Sequence, residues 1–169
     1  EYLYKILEYE VSDVNRVVSS SIAKSGNTAV LVSTKQANTD SKISVFNLNS
    51  STALWEYESD NNYNFERVKI SADGNYIFVC RGEGDAFLFS RSSSTPIWHY
   101  DTDDHEDFDC NTYPEYSAMD ISGDGSKIVI AAGAGSSDSH LWLFSTSSSN
   151  PLIWKYDASI YLRSVSISH

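Results

Sequence analysis

An all-β fold, built from repeated units of four antiparallel strands, is predicted by three observations. The chain repeats itself, its apolar residues alternate with a period of two, and turn residues separate the alternating runs. The stretch "LWEYESDNNYNFERVKISADGNYIFV" (54–79) has an ungapped counterpart in "ILEYEVSDVNRVVSSSIAKSGNTAVL" (6–31). Trp55 precedes Gly74 by 19 residues, and Leu7 precedes Gly26 by the same 19. Two further copies begin at "IWHYD" (97–101) and "IWKYD" (153–157), placing Trp98 and Trp154 in register with Trp55. A second half-unit repeats as "ISVFNLNSSTALW", "AFLFSRSSSTPIW" and "LWLFSTSSSNPLIW", with Phe46, Phe89 and Phe144 nine, nine and ten residues before their Trp.

Each unit therefore reads as strand a, a turn at Gly26, Gly74 or Gly125, strand b, a variable loop, strand c, a Ser-rich turn and strand d. Gly suits the first turn because it tolerates positive φ. Pro96 stands at a strand start, where it costs no ladder hydrogen bond. Four-stranded antiparallel units at this spacing are the signature of β-propeller blades. A β-sandwich competes, but it needs no such regular unit. The expected boundaries are a lone strand d at 4–10, blade 1 at 17–58, blade 2 at 66–101, blade 3 at 116–157 and a lone strand a at 162–168. Three blades flanked by an orphan outer and an orphan inner strand predict open faces, so the chain reads as a window of a longer propeller or a self-assembling piece of one.

The turn-bearing segments "VKISADGNYIFV" and "MDISGDGSKIVI" resemble the strand–turn–strand of WD-repeat blades. The closing segments "FSRSSSTPIWHY" and "FSTSSSNPLIWKY" are similar to PQQ-like (quinoprotein-type) repeats, with Trp in the outer strand. The likeness covers essentially the whole chain and implies architecture rather than activity. The Gly-His and Trp-Asp pairs of WD repeats are absent, so their His–Asp network is not expected. The adjacent cysteines of quinone-using members are absent too, so no cofactor is carried over.

Composition narrows the function classes. Twelve Lys plus Arg face 23 Asp plus Glu in 169 residues, a net charge of −11. That balance argues against a nucleic-acid partner, which needs clustered cations, and suits cationic partners or divalent ions. No apolar run is long enough to span a membrane as a helix, and no signal peptide is visible, as a mature chain would also show. The four His (99, 105, 140, 169) accompany no nucleophile motif, so no catalytic residue is named. A composite site would gather at the strand a entrances, near Glu66, Arg67, Ser117 and Arg163.

Trp55, Trp98 and Trp154 recur once per blade at one strand position, which predicts packing between blades rather than ligand stacking. Trp142 lies off the repeat and should face opposite to Leu141 and Leu143 by strand alternation. The variable bc and da loops share one face of a propeller, where binding usually resides. The da loop "DTDDHEDFDC" (101–110) carries an eight-residue insertion on that face. Its carboxylates, Asp101, Asp103, Asp104, Glu106, Asp107 and Asp109, alternate as calcium prefers, yet lack the Gly and final Glu of an EF-hand. Two carboxylates ~6 Å apart in water repel by only about 0.7 kcal/mol, so a solvated loop is the first expectation. Calcium is the second, and a transition metal using His99, His105 or Cys110 the third. Cys80 ends strand b on the same face, so Cys80 and Cys110 either form a disulfide closing a 30-residue loop or remain a buried and an exposed thiol. Asn49-Ser50-Ser51 is a glycosylation sequon in a cd turn.

The expected function is a non-enzymatic protein-binding or scaffolding module of a larger secreted or cell-surface protein, without a cofactor unless calcium. Its expected partners are proteins or the missing blades of the same propeller, or further copies of itself through open edges. The alternatives are a fragment of a propeller enzyme, either a quinoprotein-like oxidoreductase or a lyase, and a structural subunit of a surface filament or layer.

Overall fold

The computed structural model describes residues 14–35, 40–59, 64–82, 84–101, 110, 118–132, 139–160 and 162–168. They form three four-stranded antiparallel sheets, each a meander in chain order. Blade 1 is β1 (Val14–Ile22), β2 (Thr28–Lys35), β3 (Ser41–Asn47) and β4 (Ala53–Glu58). Blade 2 is β5 (Phe65–Ile70), β6 (Tyr76–Arg81), β7 (Asp85–Ser90) and β8 (Pro96–Asp101). Blade 3 is β9 (Ala118–Ile121), β10 (Lys127–Ala132), β11 (Ser139–Ser145) and β12 (Leu152–Ala158). The expected strand d at 4–10 lies outside the described residues.

Alternation along the strands decides which blade each side chain meets. In blade 2, Ile77, Val79, Phe87 and Phe89 pack with Val30, Val32, Ile43 and Val45 of blade 1. Their neighbours Phe78, Cys80, Ala86 and Leu88 pack with Ile128, Ile130, Trp142 and Phe144 of blade 3. Blade 2 is thus buried on both faces, which is why "YIFVC" and "AFLF" read as continuous apolar runs. Trp142 is buried towards blade 2 while Leu141 and Leu143 are only half-buried on the opposite face, as alternation requires.

The ab turns join the blades. Between Ser71 and Tyr76 the loop has four residues, and the Ser71 N–H donates to the Tyr76 carbonyl at 2.9 Å. Gly74 (φ 80°) and Gly125 (φ 69°) occupy the left-handed region there. Blade packing adds a second reason for Gly125, because a Cβ would stand 2.8 Å from Cδ2 of Tyr76 in the preceding blade. Gly26 has the same φ but open space around it. Gly125→Ala is therefore expected to cost about 2–3 kcal/mol, and Gly26→Ala only about 1, in urea unfolding. Equal losses would show that the Tyr76 contact contributes nothing.

Side chains stitch the inner strand β5 to blade 1. The Val68 and Ile70 N–H groups donate to Ser19 Oγ and Ser21 Oγ at 3.2 and 3.3 Å. The Phe65 N–H donates to Ser41 Oγ at 2.7 Å. The same pattern recurs beyond blade 3, where the Leu162 N–H donates to Ser139 Oγ at 3.1 Å and the Ile167 N–H to Asp120 Oδ2 at 3.1 Å. Residues 162–168 thus lie where an inner strand of a further blade would lie, yet they form no ladder. The expected strand a is corrected to a segment without a ladder, held by side-chain contacts and by Gly123 N–H to Ser168 O at 3.2 Å. An inner strand gains its ladder from strand b, and among the described residues none pairs with it.

Candidate functional site

Among the described residues, the bc corner of blade 2 brings buried charges together on the variable face. Strand β6 ends at Arg81 and β7 begins at Asp85, with Gly84 at φ 100° between them. Both charges are buried, and they form an ion pair between Arg81 Nη2 and Asp85 Oδ2. Buried charges persist only when paired and hydrogen-bonded. The other Asp85 oxygen meets His99 Nε2 at 2.8 Å. Ladder register places His99 opposite Phe87, and the two rings stack at 4.3 Å with 4° between planes. The Arg81 guanidinium lies 5.4 Å from the centroid of the same Phe87 ring.

One residue before Arg81, Cys80 is joined to Cys110 in a disulfide with a Cα separation of 6.3 Å. Both cysteines are buried in the blade 2–blade 3 core. The bond anchors the far end of the inserted da loop to strand b of blade 2. A disulfide sulfur offers no thiolate, so Cys110 is corrected from the transition-metal set, and His99 directs its Nε2 to Asp85. Of the six carboxylates weighed for calcium, only Asp101 is described. It is exposed at the end of β8, opposite Asp85 in the ladder. Asp103, Asp104, Glu106, Asp107 and Asp109 lie outside the described residues, as does Ser117. Among the described residues, no group of three or more His, Cys, Asp or Glu is placed to hold a metal. Asn49 is exposed in the β3–β4 turn, its N–H donating to Asn47 Oδ1 at 3.0 Å. Glu66 and Arg67 are half-buried on β5, where burial lowers the Arg67 pKa against the opposing charge of Glu66, while Arg163 is exposed on the separate segment 162–168.

A polar pair between strands c and d recurs in every blade and escaped the sequence reading. Lys42 Nζ meets Glu56 Oε1 at 2.9 Å, Asp85 meets His99, and His140 Nδ1 meets Asp157 Oδ1 at 2.8 Å. Lys42, Asp85 and His140 each precede the blade's Phe by four residues, but their strand d partners shift: Glu56 and His99 follow the blade's Trp by one residue and Asp157 follows it by three. The WD-type His–Asp network was not expected, and these His–Asp contacts are of another kind, linking neighbouring strands of one sheet. The His140 hydrogen bond, helped by Lys155, holds the Asp157 carboxyl below its ordinary range. A depressed carboxylate stabilises the fold above its unfolded pKa, near 3.8, and loses that contribution as pH falls through the folded value. Acid unfolding of Asp157→Asn should therefore show a shallower stability slope below about pH 4 than the parent chain. An unchanged slope would dismiss the pair as a pH-sensitive contact.

The other notable surface is the outward face of blade 3. In blade 1, Trp55 and Tyr57 pack on Phe89 of blade 2 with centroids 5.4 and 5.1 Å apart. In blade 2, Trp98 and Tyr100 pack on Phe144 of blade 3 at 5.8 and 5.0 Å. Trp154 and Tyr156 hold the same places in blade 3, but they are 41% and 62% exposed. The expectation that all three Trp are core is therefore corrected: Trp98 is 5% exposed, Trp55 is half-buried, and Trp154 faces outward beside Leu141 and Leu143. No helix among the described residues is long and apolar enough to cross a membrane.

No family model and no curated protein matches this sequence. Solved structures do resemble it. BamB from Moraxella catarrhalis matches at TM-score 0.58 and 18% identity, over 83% of this chain and 36% of that one. The Dos1 propeller matches at TM-score 0.71 and 10% identity, over 94% and 38%. Hsv2 from Kluyvelomyces marxianus matches at TM-score 0.55 and 11% identity, over 84% and 46%. The chain spans less than half the length of each of these proteins. Such identities speak for the fold alone, and the fold agrees with the sheets: the chain is made of consecutive four-stranded blades of a β-propeller.

Proposed function

We propose that this chain is a non-enzymatic protein-binding scaffold that works as part of a larger ring of blades. The exposure of Trp154 carries this reading. Its counterparts Trp55 and Trp98 each pack on an aromatic side chain of the following blade, so the outward face of blade 3 is complementary to a sheet carrying bulky residues in strand c. Residues 162–168 support it, since they follow the inner-strand stitches of the blade before. A scaffold of this kind presents its variable loops from a rigid base, and the disulfide-anchored corner at Arg81, Asp85 and His99 is the best-built part of that face. The disulfide and the exposed sequon at Asn49 support a secreted or cell-surface location.

The test extends the chain after Ser168 with a second copy of residues 72–101, supplying strands b, c and d. The expected result is that Trp154 becomes shielded from acrylamide quenching. The same extension with its copies of Phe87 and Phe89 changed to Ser should leave Trp154 accessible. Equal accessibility in both folded proteins would overturn the reading. Concentration-dependent shielding of Trp154 in the unextended chain would instead favour a self-assembling filament or layer.

A further inference from the structure

The outer strands share an irregularity with a consequence on the turn side of the blades. In all three sheets the c–d ladder skips one residue of strand d, and the skipped residues are Leu54, Ile97 and Ile153. A bulge takes its extra residue out of the ladder and re-aims it. These three aliphatic side chains stand 47%, 46% and 46% exposed. One exposed aliphatic residue means little, but here it recurs once per blade at one bulge.

Between the first two of them lies a cavity of about 790 Å³, lined by Leu54, Ile97, Tyr76, Arg91, Asp73 and Asp124 among others. The Arg91 main chain is fixed, its N–H donating to the Asn75 carbonyl and its carbonyl accepting from Trp55 Nε1, both at 2.8 Å. Two carboxylates stand at the same cavity. Hydrogen bonds from Ser122 and Ser126 hold Asp124 at about 2. Burial pushes Asp73 up, but hydrogen bonds from Ser71 and Asn75 outweigh it and leave the pKa lowered. Both stay ionised near neutral pH, so the cavity sets two negative charges against one guanidinium.

We propose that this cavity is a docking groove for an extended peptide segment of a partner protein that carries aliphatic and basic side chains in alternation. An aliphatic side chain fills the space between Leu54 and Ile97. A basic side chain meets Asp73 and Asp124. The net charge of −11 draws a basic partner towards the surface and repels an acidic one. The groove is built on the ab and cd turns, away from the bc corner; it rests on the protein-binding reading, while the Trp154 test of a larger ring is read separately from it.

Fluorescence anisotropy with a labelled peptide of alternating Leu and Lys tests the proposal, beside a Ser-for-Leu peptide and a Glu-for-Lys peptide. Saturable binding is expected for the first peptide alone, weakening as salt is raised. Leu54→Ser with Ile97→Ser should weaken it at least tenfold. Both side chains are half in solvent, and an unchanged melting temperature confirms the fold; should the pair destabilise the chain, Ile97→Ser alone should still weaken binding about threefold. Ile153→Ser lies outside the cavity and should leave affinity within about twofold. Equal binding of the Glu peptide, no binding of the Leu–Lys peptide, or an equal loss from Ile153→Ser would overturn the proposal.

Discussion

Reducing the Cys80–Cys110 bond, or replacing both cysteines by Ala, is expected to lower the unfolding free energy by about 3–4 kcal/mol. The bond spans 30 residues, and closing a loop of that length removes about this much conformational freedom from the unfolded chain. In a chain of this size the loss corresponds to a melting temperature lower by roughly 10 °C. Both cysteines are buried among Phe78, Leu88, Trp98 and Met119, so the apolar replacement isolates the cross-link from the cost of burying a hydroxyl. Calorimetry with and without reductant measures the effect, and the double-Ala chain should no longer respond to reductant. A change under about 1 kcal/mol would mean that the unfolded chain already holds the two ends together.

Trp98→Ala is the second large effect, at about 3–5 kcal/mol. The ring packs against Phe78 at 6.0 Å and Phe144 at 5.8 Å, and its removal opens a void between blades 2 and 3. The informative comparison is Trp154→Ala, the same substitution at the equivalent position one blade later. With 41% of that side chain already in water, the loss should stay under about 1.5 kcal/mol. Denaturant unfolding of the two variants therefore reads the difference between a filled and an open blade face. Similar losses at both positions would mean that Trp154 is covered in solution.

The blades were legible because their residues obey local rules: period-two alternation, glycine at the turn, proline at a strand start. The pairing of Trp with the Phe of the following blade was implicit in the repeat, since both recur at fixed spacing. Two features were not legible, for physical reasons. The c–d pairs use Lys–Glu, Asp–His and His–Asp in turn, and the strand d partner moves from one residue after the Trp to three, so a comparison by residue type and position passes over them. The outward exposure of Trp154 depends on what packs beyond blade 3, and its own strand is indistinguishable from that of Trp98. The bulged residues Leu54, Ile97 and Ile153 look like ordinary members of apolar strands until the register shows that they are skipped.

The burial of blade 2 on both faces bears on how this molecule opens. In a linear array, each unit is stabilised by its own contacts and by its neighbours, so a central unit draws on two interfaces and a terminal one on fewer. Native-state amide exchange should therefore be graded rather than uniform, slowest in β6 and β7 and fastest in β12. Fraying from the blade 3 side would leave the Arg81–Asp85–His99 corner intact while the last strands exchange freely. A partner bound at that corner would ride out such partial openings, and one bound on the outward face of blade 3 would suppress them.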